Sequence, residues 1–285
     1  MNKNFLNIKS IIRYLKLFKQ KLQKIKKLDY IEIHVCDHCN LNCAYCSHFC
    51  SVAEPTFYDI KDFEKDIKRL AELTNNDIPL IKLLGGEPLL NENCNEFFDI
   101  THKFFPNSSI ILVTNGILLK SQNEKFWKSA RNNNITIECS QYPINLDYLE
   151  IKKFVENKNV KFIFNLPEHI KKQYFTKFAL SRKKKLSLFE SYFTCFLDRT
   201  SFFFKEGKIY HCPIIGNINH LNKYFNTDFE VSEKDFIDIH KISDIKEILN
   251  FLSSDTPFCR YCSSLNHKRE TWKKSQKDLS EWCID

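Results

Sequence analysis

The sequence predicts an α/β fold in which parallel strands are joined by crossover helices. Two observations carry that expectation. From residue 30 onward, short apolar runs alternate with stretches of helical periodicity at least four times, the pattern of strand–helix–strand units. No segment repeats at a fixed period, so a solenoid or propeller is not expected. The strand candidates are Tyr30–Val35, Pro79–Leu84, Ser109–Thr114, Ile135–Cys139 and Val160–Phe164. The helix candidates between them are Asp59–Leu73, Cys94–Phe104, Asn123–Arg131 and Leu146–Val155. The alternation is too short for a complete eight-fold barrel before residue 165. A partial (β/α)6 barrel or an open sheet is expected instead.

The flanks have a different texture. Apolar residues at helical spacing (Ile8, Ile11, Ile12, Leu15, Leu22, Ile25), with Lys and Arg filling much of the rest, predict a basic amphipathic helix within residues 1–28. Such a helix either packs on the body of the protein, touches a membrane surface or docks a partner. After residue 190, Phe202–Phe204 and Ile209–His211 flank a turn at Gly207 and read as a hairpin. One helix candidate follows at Ile242–Leu252, and residues 253–285 show little regular pattern. The expected units are 1–28, a core over 29–189, and a smaller C-terminal unit over 190–285. The stretch 166–189 is either one more strand and helix of the core or a linker.

The chain has 285 residues and a formal net charge of +8. Nine Lys and Arg and no acid fall in the first 28 residues, leaving a near-neutral remainder. A nucleic-acid binder would carry its basic excess on the folded body, so no nucleic-acid partner is expected. There is no run of about 18 uncharged apolar residues for a membrane span. Lys9, Arg13, Lys16 and Lys19 interrupt any secretory apolar segment. A cytoplasmic location is therefore expected.

Twelve cysteines in such a chain point to metal or redox chemistry rather than disulfides. Cys39, Cys43 and Cys46 are spaced Cys-x3-Cys-x2-Cys just after the first strand candidate, at the sheet edge where α/β proteins build their sites. Three thiolates on one tight loop can hold three irons of a [4Fe–4S] cluster and leave the fourth open. A zinc site completed by His48 or Cys50 is the alternative. After the second strand comes Gly85-Gly86-Glu87-Pro88, in a chain with only five glycines. Paired glycines allow close backbone approach, and the Glu87 carboxylate can accept from an ammonium group.

A second cysteine set lies downstream: Cys195 and Cys212 on either side of the predicted hairpin, then Cys259-x2-Cys262. Four thiolates would complete a closed cluster site, or a zinc knuckle. Cys36, Cys94 and Cys139 read as small buried hydrophobes. Asp198 and Arg199 are either substrate contacts or solvated surface.

Residues 30–140 resemble the core of the radical S-adenosylmethionine (radical SAM) superfamily. The Cys39–Cys46 loop resembles that family's cluster motif, including the aromatic Tyr45 before the last cysteine. Gly85, Gly86, Glu87 and Pro88 resemble the segment that meets the methionine amino group of SAM. Asn115, in Thr114-Asn115-Gly116, and Ser140 stand where the family often lines the SAM ribose and carboxylate. The layout of Cys195, Cys212, Cys259 and Cys262 resembles the twitch extension, which binds one auxiliary [4Fe–4S] cluster. The longer SPASM form needs further cysteines after Cys262, and the next here is Cys283.

The resemblance implies an oxidoreductase-type enzyme. SAM chelates the open iron, an external one-electron donor such as flavodoxin or ferredoxin reduces the cluster, and a 5′-deoxyadenosyl radical abstracts hydrogen from a small-molecule substrate. The cysteine layout is similar to that of radical SAM dehydrogenases of aminosugar intermediates. It therefore implies a carbohydrate or sugar derivative that is oxidised, epimerised or dehydrated. A peptide or protein maturase is the runner-up, lowered by the 29 residues that precede the first strand, too few for a leader-binding domain. A non-catalytic Fe–S or zinc protein would have no need of the GGEP segment. Some radical SAM epimerases use a thiol as hydrogen donor, which makes Cys283 a candidate catalytic residue against the alternative of a frayed tail.

Overall fold

The computed structural model describes residue 16 and residues 18–167, 170–171, 173–183 and 186–285. Most of the expected N-terminal helix, residues 1–15 and 17, lies outside the described residues.

The alternation read from the sequence becomes five strands joined by four helices: β1 (Tyr30–Cys36), α1 (Ile60–Thr74), β2 (Leu80–Gly85), α2 (Cys94–Phe104), β3 (Ser109–Thr114), α3 (Glu124–Asn132), β4 (Thr136–Cys139), α4 (Tyr148–Asn157) and β5 (Lys161–Phe164). Each neighbouring pair of these strands is parallel. The helices begin where short polar side chains can cap them. Asp59, Asn123 and Asp147 each accept hydrogen bonds from first-turn amides. Helix α1 ends on Asn75 at φ 52°, a left-handed position that asparagine tolerates.

The strands bury alternate residues against the helices. Ile31 and Ile33 of β1, Ile81 and Leu83 of β2, and Leu112 of β3 are fully buried. Phe63 of α1 meets Phe97 of α2 edge-on at 4.8 Å, and Phe98 meets Phe126 of α3 at 5.4 Å. Each such ring contributes about 1.5–3 kcal/mol through burial.

Three of the C-terminal elements, strands 7 to 9 in chain order, continue the same sheet. The C-terminal elements are β6 (Tyr174–Lys177), α5 (Leu188–Thr194), β7 (Phe203–Lys205), β8 (Lys208–Tyr210), α6 (Pro213–Phe225), β9 (Ile237–Asp238), α7 (Ile245–Leu252) and β10 (Lys268–Thr271). Strand β7 pairs parallel with β1 on the side away from β2. The full order is β5-β4-β3-β2-β1-β7-β8-β9, with β8 and β9 added antiparallel. Six parallel strands therefore stand together, the sixth being β7 beside β1 rather than a strand beyond β5. The β7–β8 turn has Glu206 at φ 49° and Gly207 at φ 70°, the paired positive φ that suits a two-residue hairpin.

Strands β6 and β10 form a separate antiparallel pair. A second core joins Phe49, Leu84, Phe203, Ile218, Phe258 and Trp282. The ambiguous stretch 166–189 holds strand β6 and leads into α5, but β6 pairs with β10 rather than with the main sheet; helix α6 and strand β10 are not among the elements expected from the sequence. Among the described residues, no helix is long and apolar enough to cross a membrane.

Candidate functional site

The C-terminal ends of β1 to β4 converge on a cavity of about 190 Å³, lined by Cys39, Cys43, Cys46, Gly85, Gly86, Asn115 and Ser140 among others. Segments separated by up to 100 residues thus meet because parallel strands deliver their exits to one edge. The loop from Cys36 to Cys50 wraps tightly, with Asn42, Tyr45 and Phe49 all at positive φ. The glycines of β2 make room for it. A Cβ on Gly85 would stand 2.3 Å from the Cys36 carbonyl oxygen, and one on Gly86 1.9 Å from that of His38. Their first task is to let the β2 exit pass against the backbone leading into the cysteine loop.

Glu87 is fully buried. Its carboxylate accepts from Thr114 Oγ1 at 2.7 Å, from the Asn115 amide at 2.9 Å and from the Leu89 amide at 3.1 Å. Burial raises its pKa to about 7, and those three donors oppose the rise. Glu87 thereby ties the end of β2 to the end of β3. Asn115 donates through Nδ2 to Asn40 Oδ1 at 2.7 Å, and Ser140 Oγ accepts from Asn165 Nδ2 at 3.1 Å. Pro88 opens the short helical turn after Glu87 and is buried. Tyr45 is buried too, with the ammonium groups of Lys177 and Lys273 over its ring at 6.0 and 5.5 Å.

The C-terminal tail closes over the cysteine loop, which the sequence pattern did not foretell. The Ala44 amide donates to the Lys273 carbonyl, and the Ser275 amide to that of Asn42. Trp272 Nε1 donates to Cys43 Sγ at 3.1 Å, and Trp282 Nε1 to the Cys46 carbonyl at 3.0 Å. Cys283 is not a frayed end. It is 4% exposed in the second core, and the strand-like bridge at Leu180 holds it there. Cys50 lines the cavity and hydrogen-bonds Cys46. His48 lines it as well and stands 3.3 Å from His34, Nδ1 to Nδ1.

The four downstream cysteines also come together. Cys195 ends α5, Cys212 precedes α6, and Cys259 and Cys262 lie in and just after a short helical turn. Cys259 feels the charge of the other three, and Cys262 that of Cys195 and Cys212. Burial pushes Cys212 up to about 12, so the thiol stays protonated until a cationic metal ionises it. The donor set is thus four soft, half-buried thiols, which suits iron–sulfur chemistry. The three-thiol loop fits in the same sense, since burial raises Cys39 as well. Among the described residues, no three Cys, His, Asp or Glu side chains converge closely enough to hold one metal ion.

Asp198 is not solvated surface. It pairs with Lys21 at 3.2 Å and with His211 at 2.9 Å, all three buried. Arg199 donates to the carbonyls of Gln20, Lys21 and Gln23, holding the end of the N-terminal segment against this unit. Cys36, Cys94 and Cys139 are at most 1% exposed.

A larger cavity, about 820 Å³, shares Phe175 with the first. Its lining includes His267, whose Nε2 lies 3.3 Å from Cys262 Sγ. The larger cavity therefore reaches from the three-thiol site to a residue touching the four-thiol site.

Residues 33–191 match the family model described as the Radical SAM superfamily. Among curated proteins, a GTP 3′,8-cyclase from Nautilia profundicola is 32% identical over 100 residues, covering 35% of this chain and 31% of that protein. One from Thermodesulfovibrio yellowstonii is 29% identical over 130 residues, covering 45% and 38%. The chain thus spans about a third of the length of the curated relatives it matches. Among solved structures, BtrN in complex with AdoMet and 2-DOIA aligns with a TM-score of 0.48 at 18% identity, covering 83% of this chain and 93% of that one. Native anSMEcpe with bound AdoMet aligns with a TM-score of 0.48 at 15% identity, covering 82% and 83%.

Proposed function

The chain belongs to the radical SAM superfamily, and from that premise we propose that it abstracts hydrogen from a small-molecule substrate, a carbohydrate or sugar derivative, using one auxiliary cluster. Membership brings a [4Fe–4S] cluster and S-adenosylmethionine as cofactors. When bound and reduced, they supply the 5′-deoxyadenosyl radical that takes the hydrogen atom.

The observation that carries this reading is the shared cavity of Cys39, Cys43, Cys46, Gly85 and Gly86 at the sheet edge. Three thiols on one loop would hold three irons. Asn115 and Ser140 offer polar atoms on the facing strands, where a SAM carboxylate and ribose would lie. Glu87 acts through its neighbours: its carboxylate orients Thr114 and the Asn115 amide, while the exposed edge of the β2 exit is backbone. Three sulfurs spread round a cavity fit a polynuclear cluster better than one tetrahedral zinc, whose Zn–S bonds of about 2.3 Å would draw them together.

The second thiol set supports an auxiliary cluster within residues 190–285, with Cys195, Cys212, Cys259 and Cys262 as its ligands and 29–189 as the SAM-binding core. Four protein ligands leave that cluster closed to substrate, which suits an electron acceptor. A substrate in the larger cavity would lie between the two sites. An oxidation that delivers its second electron to the auxiliary cluster fits that arrangement best. A one-electron donor from outside the chain reduces the first cluster.

Anaerobic reconstitution with iron and sulfide, followed by dithionite and SAM, tests the reading. 5′-Deoxyadenosine should appear together with electron paramagnetic resonance signals of two clusters. Zinc as the sole bound metal, with SAM left intact, would refute it.

A further inference from the structure

The larger cavity has a charge pattern that the radical chemistry does not require. Lys171, Lys268 and Arg269 line it and are exposed, and no Asp or Glu lines it among the described residues. Lys171 Nζ donates to the Ile144 carbonyl at 3.1 Å, and the Arg269 guanidinium lies 4.1 Å from the Tyr174 ring centroid. Both heads are thus held in place by neutral partners. Lys268 stands directly opposite Lys177 across the β6–β10 pair, a register in which like charges repel. The carboxylate nearest in sequence, Glu270, is opposite Phe175 and outside the cavity lining.

The rest of the lining is of another kind. Tyr174, Phe175 and Phe196 present ring surface, and Asn165, Gln173, Thr176 and Ser264 present neutral polar groups. At about 820 Å³ the space lies within the usual range for small-molecule sites and is large for a bare monosaccharide. Three cations with no counter-charge among the described lining residues exceed what one carboxylate needs, while two lysines and an arginine suit the several oxygens of a phosphate ester.

We infer that this cavity takes a phosphate-bearing substrate, a sugar phosphate or nucleotide-linked sugar. Its phosphate is drawn by the cationic lining that Lys171, Lys268 and Arg269 supply, its ring lies against the aromatic side chains, and its reacting carbon is toward Phe175 and the three-thiol site. The inference rests on the radical SAM reading above and narrows its substrate class.

The test uses the reconstituted full chain and ³¹P line broadening of pyrophosphate and of UDP. Both should broaden at about 50 mM salt and recover at about 500 mM, since screening weakens exposed charge pairs. The K171A/K268A/R269A variant, checked for unchanged melting temperature and iron content, should lose at least tenfold in affinity. Glucuronate should displace pyrophosphate poorly. Absence of broadening, broadening insensitive to salt, retention of affinity in the variant, or equal competition by glucuronate would each overturn the assignment. SAM cleavage by the unsubstituted protein is measured alongside. Cleavage without phosphate binding rejects only this inference, whereas failure to cleave SAM rejects the function beneath it.

Discussion

Trp272 Nε1 donates a hydrogen bond to Cys43 Sγ across 3.1 Å, joining the C-terminal tail to the middle cysteine of the three-thiol loop. An N–H directed at a cluster thiolate stabilises the more negative, reduced state and so raises the reduction potential. Trp272→Phe keeps the ring and removes the donor. The potential of the SAM-binding cluster should fall by about 30–60 mV, where 59 mV is tenfold for one electron. An EPR-monitored redox titration reads this directly. An unchanged potential would mean that the contact only packs the tail.

The two thiol sets should separate in an iron count. C39A, C43A or C46A should each abolish 5′-deoxyadenosine formation and lower bound iron from about eight to about four atoms. C195A or C259A should lower iron equally while leaving the first cluster's EPR signal in place. Cys50 lines the same cavity and hydrogen-bonds Cys46, so it is the control. C50A should keep about eight irons, and loss of four there would assign the ligands differently.

How much of this was legible in the sequence depends on what carried each signal. Strands β1 to β5 and helices α1 to α4 announced themselves through apolar periodicity, and their ends fell within about two residues of expectation. The convergence of Cys39, Gly86, Asn115 and Ser140 followed from the parallel order alone. Helix α6 buries Ile214, Ile215, Asn217, Ile218 and Leu221, a one-sided helical spacing opposite Asn219 and Lys223 that was legible in the sequence and was passed over. Pro213 in its first turn and Asn226 at φ 52° after its end were further signs. The closure of the tail over the cysteine loop rests largely on main-chain bonds, such as Ala44 to Lys273 and Ser275 to Asn42, which leave no pattern in residue types. Glu87 could be picked out by its motif, but not its inward hydrogen bonding, which depends on strand register.

The two glycine types predict different penalties. In G86A the new methyl carbon would fall 1.9 Å from the His38 carbonyl oxygen, and backbone cannot yield without moving the residue before Cys39. A loss of about 3 kcal/mol or more is expected, with reduced iron incorporation. In G207A the nearest atoms are side-chain atoms at 3.2–3.3 Å, and the strain comes from φ +70°, costing about 1–2 kcal/mol. At about 2–4 °C per kcal/mol for a domain of this order, thermal melts of the two variants should rank clearly. G207A should retain full iron, and the reverse ranking would contradict the packing described.

Glu87 gives the chain a pH dependence with a definite sign. Burial raises its folded-state pKa to about 7 from an ordinary value of 4.5, so between those values the folded protein holds a proton that the unfolded chain has released. A group with a raised folded-state pKa adds stability that is complete below the unfolded pKa and lost as pH rises through the folded one. A tenfold change in proton affinity is worth about 1.4 kcal/mol, so raising the pH from about 4.5 to 7 should remove roughly 3 kcal/mol. Glu87→Gln keeps the acceptor for Thr114 and the Asn115 amide and cannot ionise. Denaturant unfolding of the metal-free chain at pH 5 and pH 8 should show a smaller difference for E87Q than for the unsubstituted protein. An equal loss in both would place the dependence elsewhere, and not at His34, whose pKa burial lowers to about 4. Its sign is opposite in direction: a buried neutral histidine loses stability as pH falls below its unfolded value.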